Sequence, residues 1–258
     1  MRAIIIGAGR GSRLKPLTDD SHKTLTEIKG KRIIDWILNA LYEGGVDDVV
    51  YIEGFNGKVI RQAFPEFTYV KNENWQNNNI MESLMCAEPF MDEPFISTYC
   101  DILYTPTIVE KLRQSPADIA LGVDTDWVEH YRYRSKHPPK DAEKLTVQEG
   151  LVKRINRGLD PSICYGEFIG VAKFNIAGAR LLKSHYHRCK KRFSGRPFRE
   201  SPVFENSMLI HLLDEMVDKG VSMVNLDTHG NYREIDTHQD LELAEKYWKF
   251  SANKFNDD

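Results

Sequence analysis

The sequence lacks any long apolar run. No stretch approaches the ~18 consecutive apolar residues of a membrane span, so neither a transmembrane chain nor a membrane partner is expected. The apolar part of Met1-Arg2-Ala3-Ile4-Ile5-Ile6-Gly7 is shorter than the core of a secretory leader, which takes about 7–15 residues. It reads as a first strand that starts the fold at once, and a cytoplasmic location follows as the expectation. Cysteine is sparse. Cys86, Cys100, Cys164 and Cys189 are scattered with no C-x-x-C pair, which excludes a disulfide framework or a zinc site and leaves reduced thiols, mostly in the core. Neither sign of charge dominates: 35 basic and 38 acidic residues give a net charge of −3. Such a balance argues against a bulk nucleic-acid binder, and no nucleic-acid partner is expected. Internal repeats, linkers and low-complexity segments are also absent. A single domain over residues 1–258, with an elaboration at roughly 124–172, is the simplest organisation; a homodimer is left open.

Two phosphate-binding motifs are missing as well. No segment supplies the G-x-x-x-x-G-K-[S/T] of a P-loop. A dinucleotide fingerprint G-x-G-x-x-G starting at Gly7 needs glycine where the chain has Ser12. These absences speak against a Walker-type site and against a hydride-transferring oxidoreductase.

What is present is ordinary soluble composition, 41% hydrophobic and 28% charged, in a chain of 258 residues, long enough to bury a core without staples. Strand-like and helix-like segments alternate. Arg2–Ile6, Asp48–Ile52, Thr68–Lys71, Pro94–Tyr99 and Ala117–Val123 read as strands, and between them Ile33–Tyr42, Val59–Phe64, Asn79–Ala87 and Thr107–Arg113 read as helices. The second half predicts strands at Leu145–Gln148, Leu151–Ile155, Phe168–Phe174, Ser222–Asp227 and Tyr232–Ile235. It also predicts helices at Ile176–Cys189, Phe204–Lys219 and Asp240–Phe250, with a basic loop from Lys190 to Pro202 and a frayed tail to Asp258. This rhythm implies an α/β fold with a mostly parallel sheet.

The strongest local signal follows the first strand: Gly7-Ala8-Gly9-Arg10-Gly11-Ser12-Arg13-Leu14. Alternating glycines let backbone N–H groups approach a phosphate with no Cβ in the way. Arg10, Arg13 and Lys15 add positive charge, which favours a phosphate cradle over a plain turn. Two carboxylates sit at strand ends. Asp101 follows Pro94–Tyr99, where ligands bind in open α/β sheets. Asp236 follows Tyr232–Ile235, and the competing reading makes it a cap for the last helix, a task Thr237 can share.

The string Ala8-Gly9-Arg10-Gly11-Ser12-Arg13-Leu14, then Pro16-Leu17-Thr18, then Lys23-Thr24-Leu25 resembles the signature of the nucleotidyltransferases that activate sugar phosphates and alcohol phosphates. That family usually carries proline before the lysine; this chain has His22. The resemblance implies a three-layer α/β/α Rossmann-like nucleotidyltransferase fold with a mostly parallel mixed sheet and a small β-rich elaboration. It implies that Gly7, Ala8, Gly9, Arg10, Gly11 and Ser12 surround a bound nucleoside triphosphate, with Arg13 and Lys23 on its phosphates as the catalytic cations. It also implies a divalent metal, Mg²⁺, on Asp101 and on the Asp236 of Glu234-Ile235-Asp236-Thr237-His238-Gln239-Asp240.

Three further stretches are most similar to the small cytidylyltransferases that act on phosphocholine or on phosphonates: Asn72 to Leu84, Tyr99 to Tyr104, and Gly166 to Phe174. From them the resemblance implies CTP as donor and a small phosphonate or phosphate ester as acceptor, of the 2-aminoethylphosphonate, 2-hydroxyethylphosphonate or phosphocholine type. Amides in Asn77-Asn78-Asn79 suit a base, a ribose or a head group, with a helix cap as the plainer reading; Ser83 can face the same pocket. Gly54 falls where related enzymes place a loop near the base. A cationic head group favours carboxylates and aromatic faces, which makes Glu143, Glu167 and Tyr131 the acceptor candidates, alongside Asp141, Trp75 and Trp127. Arg132 and Arg134 are the alternative, for an anionic acceptor or as the charged face of an edge strand. Lys190-Lys191-Arg192, Arg196 and Arg199 read as solvated surface. Two other functions stay open: a sugar-1-phosphate nucleotidyltransferase using UTP, dTTP or GTP, and a non-catalytic nucleotide sensor.

Overall fold

The computed structural model describes residues 1–249, so the expected end of the last helix at Phe250 and the tail to Asp258 lie outside the described residues. β1 (Arg2–Gly7) is followed by the phosphate-type loop and by a small hairpin of β2 (Glu27–Ile28) and β3 (Lys31–Arg32). α1 (Ile33–Glu43) buries Ile33, Ile34, Ile37, Leu38 and Leu41, the helical spacing read from sequence, and Asp35 closes its first turn by accepting from the Arg32 backbone N–H. The chain then alternates: β4 (Asp48–Glu53), α2 (Gly57–Ala63), β5 (Thr68–Lys71), α3 (Ile80–Cys86), β6 (Phe95–Tyr99), β7 (Ile102–Tyr104), α4 (Pro106–Gln114) and β8 (Ile119–Asp124). α5 (Trp127–Tyr131), β9 (Lys144–Gln148), β10 (Leu151–Ile155) and β11 (Gly166–Phe174) follow. α6 (Ile176–Phe193), α7 (Leu209–Asp218), β12 (Val224–Asp227), β13 (Tyr232–Glu234) and α8 (His238–Tyr247) complete the described chain.

The main sheet has nine strands in the order β5-β4-β1-β6-β11-β8-β12-β10-β9. β5, β4, β1 and β6 pair in parallel, as do β8 and β12; β11 lies antiparallel between β6 and β8, and β10 is antiparallel to β12 and β9. Alternation along β1 sends Ala3 and Ile5 into one apolar layer, with Trp36, Leu41, Leu112 and Ala244. Ile4 and Ile6 enter the other, with Leu84, Leu182, Leu212 and Phe174. Two buried layers on a sheet of mixed direction give the three-layer α/β/α arrangement. From β1 the chain steps outward to β4 and β5, then returns to place β6 on the other side of β1. The crevice outside the carboxyl ends of β1 and β6 is therefore a topological switch point, the position where such sheets bind ligands.

Several elements differ from the sequence expectation. The elaboration is stitched into the main sheet through β9, β10 and β11. Tyr131 to Arg134 is no edge strand. Trp127–Tyr131 forms a helix too short to show a period in the sequence, and Arg134 follows it in a turn. α6 runs on through Lys190, Lys191 and Arg192, into the expected basic loop. These residues are good helix formers whose charge suits a helix C-terminus, and Lys190 Nζ reaches Glu82 Oε2 at 2.9 Å. The second long helix starts only at Leu209, because Phe204–Asn206 forms a separate 3-10 turn. β13 does not join the main sheet; it pairs with β7, a strand the sequence reading missed, in a two-stranded sheet of its own.

Candidate active site

The β7–β13 pair is what brings the two candidate aspartates together. It is antiparallel, with Ile102 opposite Glu234, so the residue before β7 and the second residue after β13 fall at the same end. Those residues are Asp101 and Asp236, and the Ile235 N–H donating to the Asp101 carbonyl at 2.8 Å locks the register. Capping of α8 is carried by Thr237, whose Oγ1 accepts from the Asp240 N–H while the Asp240 carboxylate accepts from the Thr237 N–H. The competing role for Asp236 is thus filled by its neighbour, and its carboxylate is free to turn inward.

Lys23 meets both acids. Its Nζ donates to Asp101 Oδ2 at 2.8 Å and to Asp236 Oδ1 at 2.5 Å, and Arg13 Nη2 reaches the other Asp236 oxygen at 2.5 Å. Lys23 is 4% exposed and Asp236 6%, whereas the Arg13 side chain is 58% exposed. Burial alone works against the Lys23 charge, but the Asp101 and Asp236 carboxylates outweigh it and hold the ammonium above its ordinary range. Burial likewise works against the Asp236 charge, and Lys23 and Arg13 overcome it, keeping this carboxyl well below the usual carboxylate range. Two hard carboxylate oxygens from different elements thus converge on one small volume now held by a single ammonium. That donor set and spacing fit a divalent cation such as Mg²⁺. Asp236 also lies within reach of His137 and Glu234, a grouping whose ligand atoms all lie within 4.8 Å of one another.

The glycine loop packs against this ion triple. Gly11 has φ +65°, and a Cβ there would lie 2.8 Å from the Lys23 Cβ, so only glycine lets loop and lysine approach this closely. A cleft of about 300 Å³ opens between them. Ala8, Gly9, Gly11, Ser12, Arg13, Lys23, Asn78, Asn79, Ser83, Asp101 and Asp236 line it, together with Trp75 and Tyr99. Gly7, Arg10 and Gly54 stand outside the lining. Gly7 packs on Tyr51, and Gly54 packs on the Ala8 carbonyl and Trp75. The Arg10 guanidinium lies 4.9 Å from the centre of the Phe55 ring.

The acceptor candidates sit deeper. Glu143 is buried and accepts from Tyr99 OH at 3.1 Å and from Arg157 Nη2 at 3.1 Å. Glu167 is buried and accepts from Tyr131 OH at 2.7 Å; burial pushes its carboxyl up to about 7. Glu167 also lines a larger cavity, about 770 Å³, between α5, β13 and α8, together with Tyr133, Arg134, Glu234 and Tyr247. The glycine loop and the Lys23 triple line only the smaller cleft. Arg134 is buried among partners: its Nε donates to Asp240, its Nη2 donates to Glu234, and its guanidinium stacks over Tyr131. Arg132 is exposed and pairs with Glu129.

Residues 3–160 match the model of the MobA-like NTP transferase domain. The chain belongs to this family. As a nucleotidyltransferase of the MobA-like group it resembles the CTP:phosphoglutamine cytidylyltransferase of Campylobacter jejuni, 27% identical over 253 residues that cover 94% of this chain and 98% of that protein. It is also similar to a UTP–glucose-1-phosphate uridylyltransferase of Haloferax volcanii, 29% identical over 143 residues, 52% of this chain and 58% of the relative. Among solved structures, the CTP:phosphocholine cytidylyltransferase from Streptococcus pneumoniae superposes with a TM-score of 0.75 at 20% identity, covering 96% of this chain and 99% of that one. The Rossmann-like nucleotidyltransferase fold expected from the glycine-loop signature is the fold observed.

In this MobA-like transferase Asn72, which the sequence reading did not single out, braces two residues of the cleft, Asn78 and Ser83. It is 1% exposed and exchanges two hydrogen bonds with Asn78, Nδ2 to Oδ1 at 2.8 Å and the reverse at 3.0 Å, while its Nδ2 also donates to Ser83 Oγ at 2.9 Å. Asn72 therefore sets which amide edge Asn78 turns to the cleft. The signal was the asparagine run itself: so many amides are rarely placed without partners. Asn72→Ala is expected to raise the KM for the nucleotide about tenfold, the worth of one lost buried hydrogen-bonding partner, with kcat changed less. Steady-state kinetics at varied nucleotide concentration checks this.

Proposed function

We propose that the protein is a CTP-dependent cytidylyltransferase that joins CMP to a small phosphonate or phosphate ester and releases pyrophosphate. The observation that carries the reading is the Lys23–Asp101–Asp236 constellation at the mouth of a glycine loop, on the switch point of the sheet. The acceptor's phosphoryl oxygen attacks the α-phosphorus of CTP, a bond to the α-phosphorus forms as the bond to pyrophosphate breaks, and the electron pair leaves with pyrophosphate. That oxygen is already ionised at neutral pH, so no general base is needed. Backbone N–H groups of Gly9 and Gly11 and the guanidinium of Arg13 hold the β- and γ-phosphates, and Lys23 places its charge on the α-phosphate where charge builds up. Asp101 and Asp236 would hold Mg²⁺, which would supply further positive charge for the phosphoryl transfer. The cytosine lies toward Trp75, Asn78, Asn79 and Ser83, and the acceptor's head group toward Glu143, Glu167 and Tyr131.

CTP is supported by the relative that matches nearly the whole chain, whose name states CTP as donor. The uridylyltransferase relative supports the second reading, transfer from UTP to a sugar 1-phosphate. Pyrophosphate release with Mg²⁺ separates the two. The donors are the four ribonucleoside triphosphates and dTTP. The acceptors are 2-aminoethylphosphonate, 2-hydroxyethylphosphonate, phosphocholine, phosphoglutamine and glucose 1-phosphate. Turnover confined to CTP and one non-sugar acceptor is the expected result. Turnover confined to another nucleotide and glucose 1-phosphate would overturn the cytidylyl reading while keeping the machinery.

A further inference from the structure

His22 stands directly before Lys23, at the position where the resembling family carries proline. It is 1% exposed, and both ring nitrogens are used. Nε2 lies 2.8 Å from the Gly7 carbonyl, and Nδ1 lies 3.2 Å from the Thr24 backbone N–H. A carbonyl demands a donor and an N–H demands an acceptor, so only the neutral tautomer protonated on Nε2 satisfies both. Burial favours that neutral ring and pushes its pKa down to about 4. The two partners lie on different elements. Gly7 is the last residue of β1, and Thr24 belongs to the 3-10 turn Lys23–Leu25 that presents the lysine. The ring thus bridges the root of the glycine loop to the turn at its far end, and Thr18 Oγ1 donating to the Gly11 carbonyl at 2.9 Å ties the middle.

We propose that His22 is a positioning residue: by clipping the Lys23 turn to the carbonyl end of β1, it fixes the Lys23 ammonium between Asp101 and Asp236. Proline would restrict the backbone at this point through its ring alone; histidine here restricts it through one hydrogen bond across the loop to the end of β1 and one within its own turn. His22 touches neither aspartate in any described contact, so its effect on the chemistry runs through Lys23. The inference rests on the proposed role of Lys23 for its catalytic consequence, but not for the placement itself.

Two readouts keep these separable. The first is the rate at which Lys23 is reductively methylated in the intact protein without nucleotide, followed by peptide mass spectrometry. Lys144 and Lys173, both buried and remote in sequence, serve as references. In His22→Ala, Lys23 is expected to react about tenfold faster, the equivalent of one lost buried hydrogen bond, with Lys144 and Lys173 unchanged. His22→Gln, whose amide can still donate to the Gly7 carbonyl, is expected to restore most of the protection. Unchanged Lys23 labelling in His22→Ala, equal acceleration at all three lysines, or a His22→Gln variant no better protected than alanine would each overturn the proposal. The second readout is turnover. A lysine displaced by about 1 Å loses on the order of 100-fold in kcat, with a smaller change in the KM for CTP and recovery in His22→Gln. Faster labelling together with unaltered kcat would uphold the clip and sink the catalytic role assigned to Lys23.

Discussion

Lys23→Ala is expected to abolish nearly all turnover, with kcat down by about 10²–10³, the cost of removing a preorganised charge from a developing oxyanion. The geometry makes this the most sensitive position in the molecule. Lys23 is a buried cation held between two carboxylates at 2.8 and 2.5 Å, so its ammonium cannot wander, and no other lysine among the described residues lines the cleft. Arg13 cannot substitute for it, because that side chain is largely exposed and reaches only the outer oxygen of Asp236. The substitution also leaves Asp101 and Asp236 facing one another without the cation that holds Asp236 ionised. A fall in Tm is therefore expected alongside the loss of activity. MgCl₂ should recover part of that Tm, because a divalent cation can take the place between the carboxylates, and should recover none of the turnover. Pyrophosphate release and thermal melts with and without MgCl₂ check both halves. Equal turnover in the variant would remove Lys23 from the mechanism.

Much of this site was legible in the sequence because its parts are local. The glycine loop, Arg13 and Lys23 lie within one short stretch, and a strand followed by glycines predicts a ligand-facing loop from backbone sterics alone. Asp101 was legible because a strand precedes it. Asp236 was legible only as one of two readings, and the structure separates them through a non-local fact, the pairing of β13 with β7, which puts residues 135 positions apart at one end of a two-stranded sheet. That pairing was invisible in the sequence because β7 is three residues long, too short for any alternation to show. The same limit hid α5, and with it the contacts of Arg134 to Asp240 and Glu234. His22 and Asn72 were hidden for another reason. Their importance lies in which backbone or amide groups their side chains reach, and residue type alone does not reveal that.

Asp236→Asn and Asp101→Asn are expected to cost similar amounts of activity and unequal amounts of stability. Each removes one of the two carboxylates that hold Lys23 and fit Mg²⁺, so kcat should fall by about 10²–10³ in either variant. Asp236, however, is buried and satisfies Lys23 and Arg13 at once, whereas the Asp101 side chain is 25% exposed and shares only Lys23. Removing one partner of a buried pair leaves an uncompensated charge and costs about 3 kcal/mol or more. In a chain of this size that is a fall in Tm of roughly 6–12 °C for Asp236→Asn. Water reaches Asp101, and the loss there should be about 1 kcal/mol, the level of a screened pair. The pH dependence follows from the sign of the shifts. The folded protein holds the Asp236 carboxyl below its unfolded value of about 3.9, so its contribution is complete above that pH and is lost on acidification through the folded value. Lys23 is held above its unfolded value of about 10.4, so its contribution is complete below that pH and is lost only as pH rises through the folded value. The stability gap between wild type and Asp236→Asn should therefore be widest and flat between about pH 5 and 10, and should close as pH falls below about 4. Denaturant melts across that range test it. A gap that persists undiminished at low pH would mean that the Asp236 side chain stabilises the fold by its shape and not by its charge.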